Sequence, residues 1–134
     1  MNAGGGVAVA LGSALGAVLR QGITDLFAVT SANFPWDTLT VNVVGSLVIG
    51  WLAALTVAEG RLPLAENRRL FLMGGVCGGF TTFSVFSLDT LTLLGSGALA
   101  GAATNIAVTV VVCLIAVWVG FALATRMNRR PRVS

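Results

Sequence analysis

The chain has 134 residues, of which 56% are hydrophobic and only 10% charged, with eight arginines, five acidic residues, a net charge of +3, and no lysine, histidine or tyrosine. Soluble domains carry roughly 25% charged residues, so this chain lacks the polar material to cover a globular surface in water, and its natural solvent is lipid. Without histidine or lysine it has no ordinary general base near neutral pH and no Schiff-base amine, and its few cations sit in gaps between apolar runs, which speaks against both an enzyme and a nucleic-acid binder.

A helix needs about 20 mostly apolar residues to cross the hydrocarbon core of a bilayer. Four segments qualify, at approximately 4–27, 38–58, 69–94 and 98–124, within a single integral membrane domain covering 1–134. The first follows Gly4-Gly5-Gly6, a start too glycine-rich, and too poor in basic residues, for a cleavable signal peptide, and it runs on past Arg20. The second is bounded by Asp37 and Glu59 and preceded by Pro35-Trp36, a turn with an interfacial aromatic. Arg68-Arg69 open the third, which carries one acid, Asp89, and the run Gly74-Gly75-Val76-Cys77-Gly78-Gly79. Gly95-Ser96-Gly97 separates it from the fourth, so the last two spans are predicted to form a tight antiparallel pair. Cys77 and Cys113 lie inside apolar stretches, where a thiol behaves as a small hydrophobe, and their spacing fits neither a metal site nor a disulfide framework.

Four crossings put both termini on one side of the membrane. That side receives Arg61, Arg68, Arg69, Arg126, Arg129, Arg130 and Arg132, and the other only Arg20. The positive-inside rule therefore predicts cytoplasmic termini, with the arginine tail as a topological anchor.

Polar groups inside hydrocarbon are costly and therefore informative. Asn42 either bonds a neighbouring helix or lines a pathway. The glycine run either breaks the third helix, freeing carbonyls of the kind that coordinate cations at membrane depth, or allows close helix approach through Gly74-x-x-x-Gly78 and Gly75-x-x-x-Gly79. Phe80, Phe83 and Phe86 recur every three residues, and Thr81, Ser84 and Ser87 follow each by one. On a helix these make adjacent aromatic and hydroxyl stripes. Electropositive ring edges and hydroxyl donors suit a small anion, while ring packing with hydroxyls bonded to the preceding turn accounts for the same residues. In the fourth span Asn105 and Thr109 share a face. These donors are neutral, whereas a proton-coupled transporter needs a titratable group in its pathway, for which Asp89 is the one intramembrane candidate.

These motifs resemble the CrcB/Fluc fluoride channel family. Gly12-Ser13-Ala14-Leu15-Gly16-Ala17-Val18-Leu19-Arg20 looks like its first-helix signature, and Thr38-Leu39-Thr40-Val41-Asn42-Val43-Val44-Gly45-Ser46 like its second-helix motif. Gly75-Val76-Cys77-Gly78-Gly79-Phe80-Thr81-Thr82-Phe83-Ser84-Val85-Phe86-Ser87 is similar to its third-helix motif. The resemblance implies an all-α membrane protein of four transmembrane helices, the third broken at the glycine-rich segment, in a dual-topology-type antiparallel dimer. Such a dimer has two pores and passes fluoride down its gradient out of a bacterial cell. By position, Phe83 and Phe86 would present ring edges to fluoride, and Asn42 would donate an amide hydrogen bond. Thr82 and Ser84 would supply hydroxyls, and Thr109 would stand where the family has a fourth-helix Ser or Thr. Arg20 would sit near a pore vestibule or serve as an interfacial anchor. Gly78 and Thr81 would offer main-chain carbonyls to a structural sodium ion between the subunits. The chain departs from the family at Val85, often Thr, and at Asn105, commonly Tyr.

A strongly hydrated anion needs donors in place of water, yet a fixed buried cation would hold it too tightly for release. Neutral hydroxyls, amides and ring edges meet both demands, and a single four-helix subunit is too small to enclose a pore. Two other readings stand beside the channel. A proton-coupled small exporter would need a carboxylate deep in the first helix, where residues 1–19 have none. A subunit locked in one orientation by its arginines would conduct only with an oppositely oriented homologue, so the partner is either a second copy or such a homologue.

Overall fold

The computed structural model describes residues 3–27, 34–57 and 59–129. Arg130 and Arg132 of the predicted anchor, and residue 58 at the predicted end of the second span, lie outside them. Every regular element among the described residues is helical. They are α1 (Ala3–Phe27), α2 (Trp36–Leu55), α3 (residues 66–80), α4 (Phe83–Gly95) and α5 (Leu99–Arg129). With α3 and α4 counted as one crossing, four helices are long and apolar enough to span a bilayer.

Lipid tails are as apolar as leucine, so a membrane helix gains little by burying large aliphatic side chains and packs instead through small residues. Val7, Leu11, Val18, Leu114 and Trp118 accordingly point outward, while Ala102, Ala116 and Ala124 are buried. Helix α1 packs on α3, and α2 on α5. A Cβ on Gly12 would stand 2.8 Å from Gly75 Cα, and one on Gly75 2.7 Å from Gly12 Cα. One turn along, a Cβ on Gly16 would stand 2.7 Å from Phe80 N, and one on Gly79 2.6 Å from Ser13 Cα. Between α2 and α5, a Cβ on Gly120 would meet Trp51 N at 2.9 Å. At these positions the backbones approach so closely that even a methyl group has no room.

The contrast between crowded and open glycines gives a direct test. Gly12→Val should destabilise the protein by about 1–3 kcal/mol through overpacking. Gly22→Ala, where an added Cβ meets nothing within 4 Å, should be neutral or stabilise by up to about 1 kcal/mol. Equal unfolding midpoints for the two variants in a detergent titration would contradict this packing.

The expectation of a break at the glycines is corrected by the structure. Leu70–Cys77 winds as a π-helix and Gly78–Phe80 closes a last α-turn, so the glycine run stays helical. The interruption falls at Thr81 and Thr82, which are extended, with ψ of 158° and 120°. Gly75 and Gly79 are spent on close approach to α1. The chain leaves the helix at two β-branched residues, and Thr82 caps α4 by accepting the Val85 N–H at 3.1 Å.

After α4, Gly97 adopts φ +79°, a left-handed conformation that glycine tolerates best. Its N–H bonds Leu94 O at 3.0 Å and that of Ala98 bonds Leu93 O at 2.9 Å, closing the helix and reversing the chain into α5. At the opposite end α2 stops at Leu55, before the predicted residue 58, and α5 runs on to Arg129, beyond the predicted 124. The extra turn of α5 carries Asn128, whose Nδ2 donates to Ala54 O at 2.8 Å and whose Oδ1 accepts the Arg61 N–H at 2.9 Å. It also sets Arg126 and Arg129 at the negative end of the helix dipole. The Arg61 loop and the arginine-bearing end of α5 thus meet at one end of the bundle.

Candidate functional site

The interruption between α3 and α4 is held open by Asn42 of α2. Its Nδ2 donates to Thr82 O at 2.9 Å and its Oδ1 accepts the Thr82 N–H at 2.8 Å. In a continuous helix the Thr82 N–H would bond Gly78 O, and the Val85 N–H would bond Thr81 O. The first is diverted to Asn42 and the second to Thr82 Oγ1. The carbonyls of Gly78 and Thr81 are therefore among those that lose their helical donors at the interruption, with those of Gly79 and Phe80. Main-chain carbonyls freed at membrane depth suit a hard monovalent cation, and no cluster of three or more acidic, cysteine or histidine side chains exists among the described residues to hold a metal otherwise.

Beside the interruption lies an open groove of about 360 Å³. It gathers Asn42, Thr82, Phe83, Phe86 and Thr109 of the predicted pathway, together with Gly78 and Thr81. Phe83 is 80% exposed, and its ring centroid is 5.8 Å from that of half-buried Phe86, with the planes tilted by 44°. Beyond its bond to Thr82 O, Asn42 keeps a second Nδ2 hydrogen. The Thr81 hydroxyl donates to Cys77 O at 3.0 Å, and that of Ser87 to Phe83 O at 2.9 Å.

Ser84 and Arg20 do not line this groove. The Ser84 hydroxyl is exposed, 3.3 Å from Thr82 Oγ1. Arg20 instead lines a second cavity of about 230 Å³ with Gln21, Thr24, Thr38, Val41, Thr82 and Val85. Thr82 is common to the walls of both. At the edge of this second cavity Thr38 Oγ1 donates to Asp89 Oδ2 at 2.8 Å, tying the start of α2 to α4.

Asn105 is 1% exposed and anchors a buried ladder of hydrogen bonds. Its Nδ2 donates to Thr90 Oγ1 at 2.9 Å, Thr90 Oγ1 donates to Phe86 O at 2.8 Å, and Thr109 Oγ1 donates to Asn105 Oδ1 at 3.4 Å. The ladder joins Thr109 on α5 to the main chain of Phe86 on α4. Five wall residues escaped the sequence reading as site members: Ser46, Ile49, Cys77, Val110 and Cys113. Ser46 stands four residues after Asn42, and Cys113 four after Thr109, so helical spacing from each recognised residue would have found both. The Ser46 hydroxyl makes no hydrogen bond with another described residue.

Fold and site together define a small multi-pass membrane protein with an interrupted helix beside a groove of neutral donors. Residues 7–121 match the family described as CrcB-like protein, Camphor Resistance (CrcB). A protein of Methylocella silvestris named fluoride-specific ion channel FluC is 49% identical over 122 residues, covering 90% of this chain and 93% of the relative. Relatives of the same name from Paramagnetospirillum magneticum and Opitutus terrae are 49% and 50% identical, each over 90% of this chain and over 95% and 92% of their own. The chain belongs to the CrcB family.

Proposed function

We propose that this protein is a fluoride channel of the bacterial plasma membrane that lets the ion leave the cell down its gradient, relieving fluoride toxicity. The observation that carries the reading is the open groove, in which the Asn42 amide, the Ser46 and Thr109 hydroxyls and freed carbonyls lie beside an 80% exposed phenylalanine. Polar groups cannot face acyl chains without a large penalty. A second subunit covering the groove removes that penalty and encloses a path. Two antiparallel subunits would enclose two such paths.

Within each path fluoride meets Arg20 in the smaller cavity and passes Thr82, whose wall position links the cavities. It then exchanges water for the Asn42 amide, the Thr109 hydroxyl and the ring edges of Phe83 and Phe86. Ser84, adjacent to Thr82 Oγ1, supplies a further hydroxyl near the break. No basic side chain lines the groove to trap the ion, so release stays fast. The freed carbonyls of Gly78 and Thr81 fit a structural sodium ion, and two subunits would bring four of them together. Sodium would supply a fixed charge that holds the two interruptions against each other.

A second reading is favoured by the arginines gathered around the Asn128 contact, which bias the chain toward one orientation with its termini in the cytoplasm. An antiparallel partner is then an oppositely oriented homologue. The test is fluoride efflux from vesicles containing the purified chain, without a pH gradient and with chloride as control. Fluoride release without chloride release is expected. Silence from the purified chain, with release restored by co-reconstituting a homologue, replaces the homodimer with the heterodimer. Release that requires a proton gradient overturns the passive channel in favour of an exporter using Asp89.

A further inference from the structure

A third groove, of about 540 Å³, opens between the first turns of α1 and the start of α3. It shares no residue with the fluoride path. Small residues on α1, Gly4 and Ala8, form its trough, and Leu11, Phe71 and Leu72 wall it. Its polar side chains are Asn67 and Arg68 alone, both exposed. Neither side chain forms a hydrogen bond or ion pair with another described residue. Residues 4–11 rise about 10 Å along the helix axis. The trough therefore runs from the membrane boundary, marked by Arg68 and Arg69, through most of one leaflet, which is about 15 Å of hydrocarbon.

We propose that this groove binds an anionic phospholipid, with one acyl chain in the trough and the phosphate on Arg68 and Asn67. Acyl chains are the solvent at this depth, so the apolar trough alone would accept any lipid. Selectivity comes from the polar end. A guanidinium offers five donors in a planar fork that matches phosphate bidentately, the Asn67 amide adds another, and Arg69 raises the local positive potential. A zwitterionic headgroup presents the same phosphate but brings its own ammonium to offset that potential.

The test uses the intact protein in mixed vesicles with phosphatidylglycerol carrying a photoreactive acyl chain, and the matching phosphatidylcholine as control. Labelled peptides are mapped by mass spectrometry. Labelling of residues 4–11 and 64–72 should be about fivefold greater with phosphatidylglycerol, the effect of one well-placed arginine at a membrane surface. Arg68→Ala, at an exposed position, should bring it down to the phosphatidylcholine level. Ala8→Phe should fill the trough and remove labelling by both probes. Equal labelling by the two probes, or an Arg68→Ala variant that labels like the parent, overturns the proposal.

Discussion

Replacing Asn42 by alanine is expected to abolish fluoride conduction and to destabilise the protein at the same time. Interhelical hydrogen bonds between side chains in membranes average only about 0.6 kcal/mol, because their unfolded-state competitors also find partners. Asn42 differs because it serves main-chain groups that have left their helix, and Thr82 is only 7% exposed. An unpaired backbone group in hydrocarbon costs several kcal/mol, and alanine orphans the Thr82 N–H, while the Thr82 C=O, at the N-cap of α4, keeps the first bond of that helix. The chain can escape by rewinding α3 and α4 into one helix, returning the Thr82 N–H to Gly78 O. That relief eliminates the freed carbonyls and moves Phe83 off the groove. Either route ends conduction. Asn42→Asp separates the two functions of the amide, since it keeps the acceptor for Thr82 N–H, loses the donor, and puts a negative charge where the anion must pass. Efflux assays paired with detergent unfolding should find both variants non-conducting and the alanine variant less stable by at least about 2 kcal/mol, roughly one orphaned group. Parental efflux from Asn42→Ala would refute the clamp.

What was legible in the sequence follows the range of the interactions concerned. Spans of about 20 apolar residues are a local property, and so is the Gly97 turn, which needs only a residue that accepts positive φ. The fate of Gly74–Gly79 was not local. The run permits either a break or a close approach, and the choice is made by Gly12 and Ser13 more than sixty residues earlier, whose backbones leave no room for a side chain on Gly75 or Gly79. With those glycines engaged, the interruption shifts to Thr81 and Thr82, where a capping hydroxyl and the Asn42 amide replace the missing helical bonds. The partner of Asn42 lies forty positions away, so its spacing within α2 could mark it as important without saying what it holds. Asn105 is a similar case. Its amide links Thr109 and Thr90 across two helices, and only the packing of α4 on α5 shows that link.

The sharpest separation of conduction from folding lies at Phe83. Its ring is 80% exposed in the single chain and touches chiefly Phe86, so Phe83→Ile removes little packing and should change stability by no more than about 0.5 kcal/mol, as for an exposed position. Isoleucine is apolar and of comparable reach, and so preserves whatever hydrophobic contact a covering subunit makes. What it lacks is the electropositive ring edge. Such quadrupole contacts are worth about 0.5–1.5 kcal/mol and more where water is excluded, because the effective dielectric falls. With a dehydrated fluoride as the other party, the upper end of that range applies, and each 1.36 kcal/mol added to a barrier slows passage tenfold. Efflux through Phe83→Ile should fall at least about tenfold, with oligomeric state and unfolding midpoint unchanged. If efflux persists at the parental rate, the ring edge has no part in passing the ion, and Phe83 is simply a residue that faces lipid. If efflux and assembly fail together, the side chain acts as an interface anchor instead. Only loss of conduction in an intact assembly assigns the ring edge to the ion.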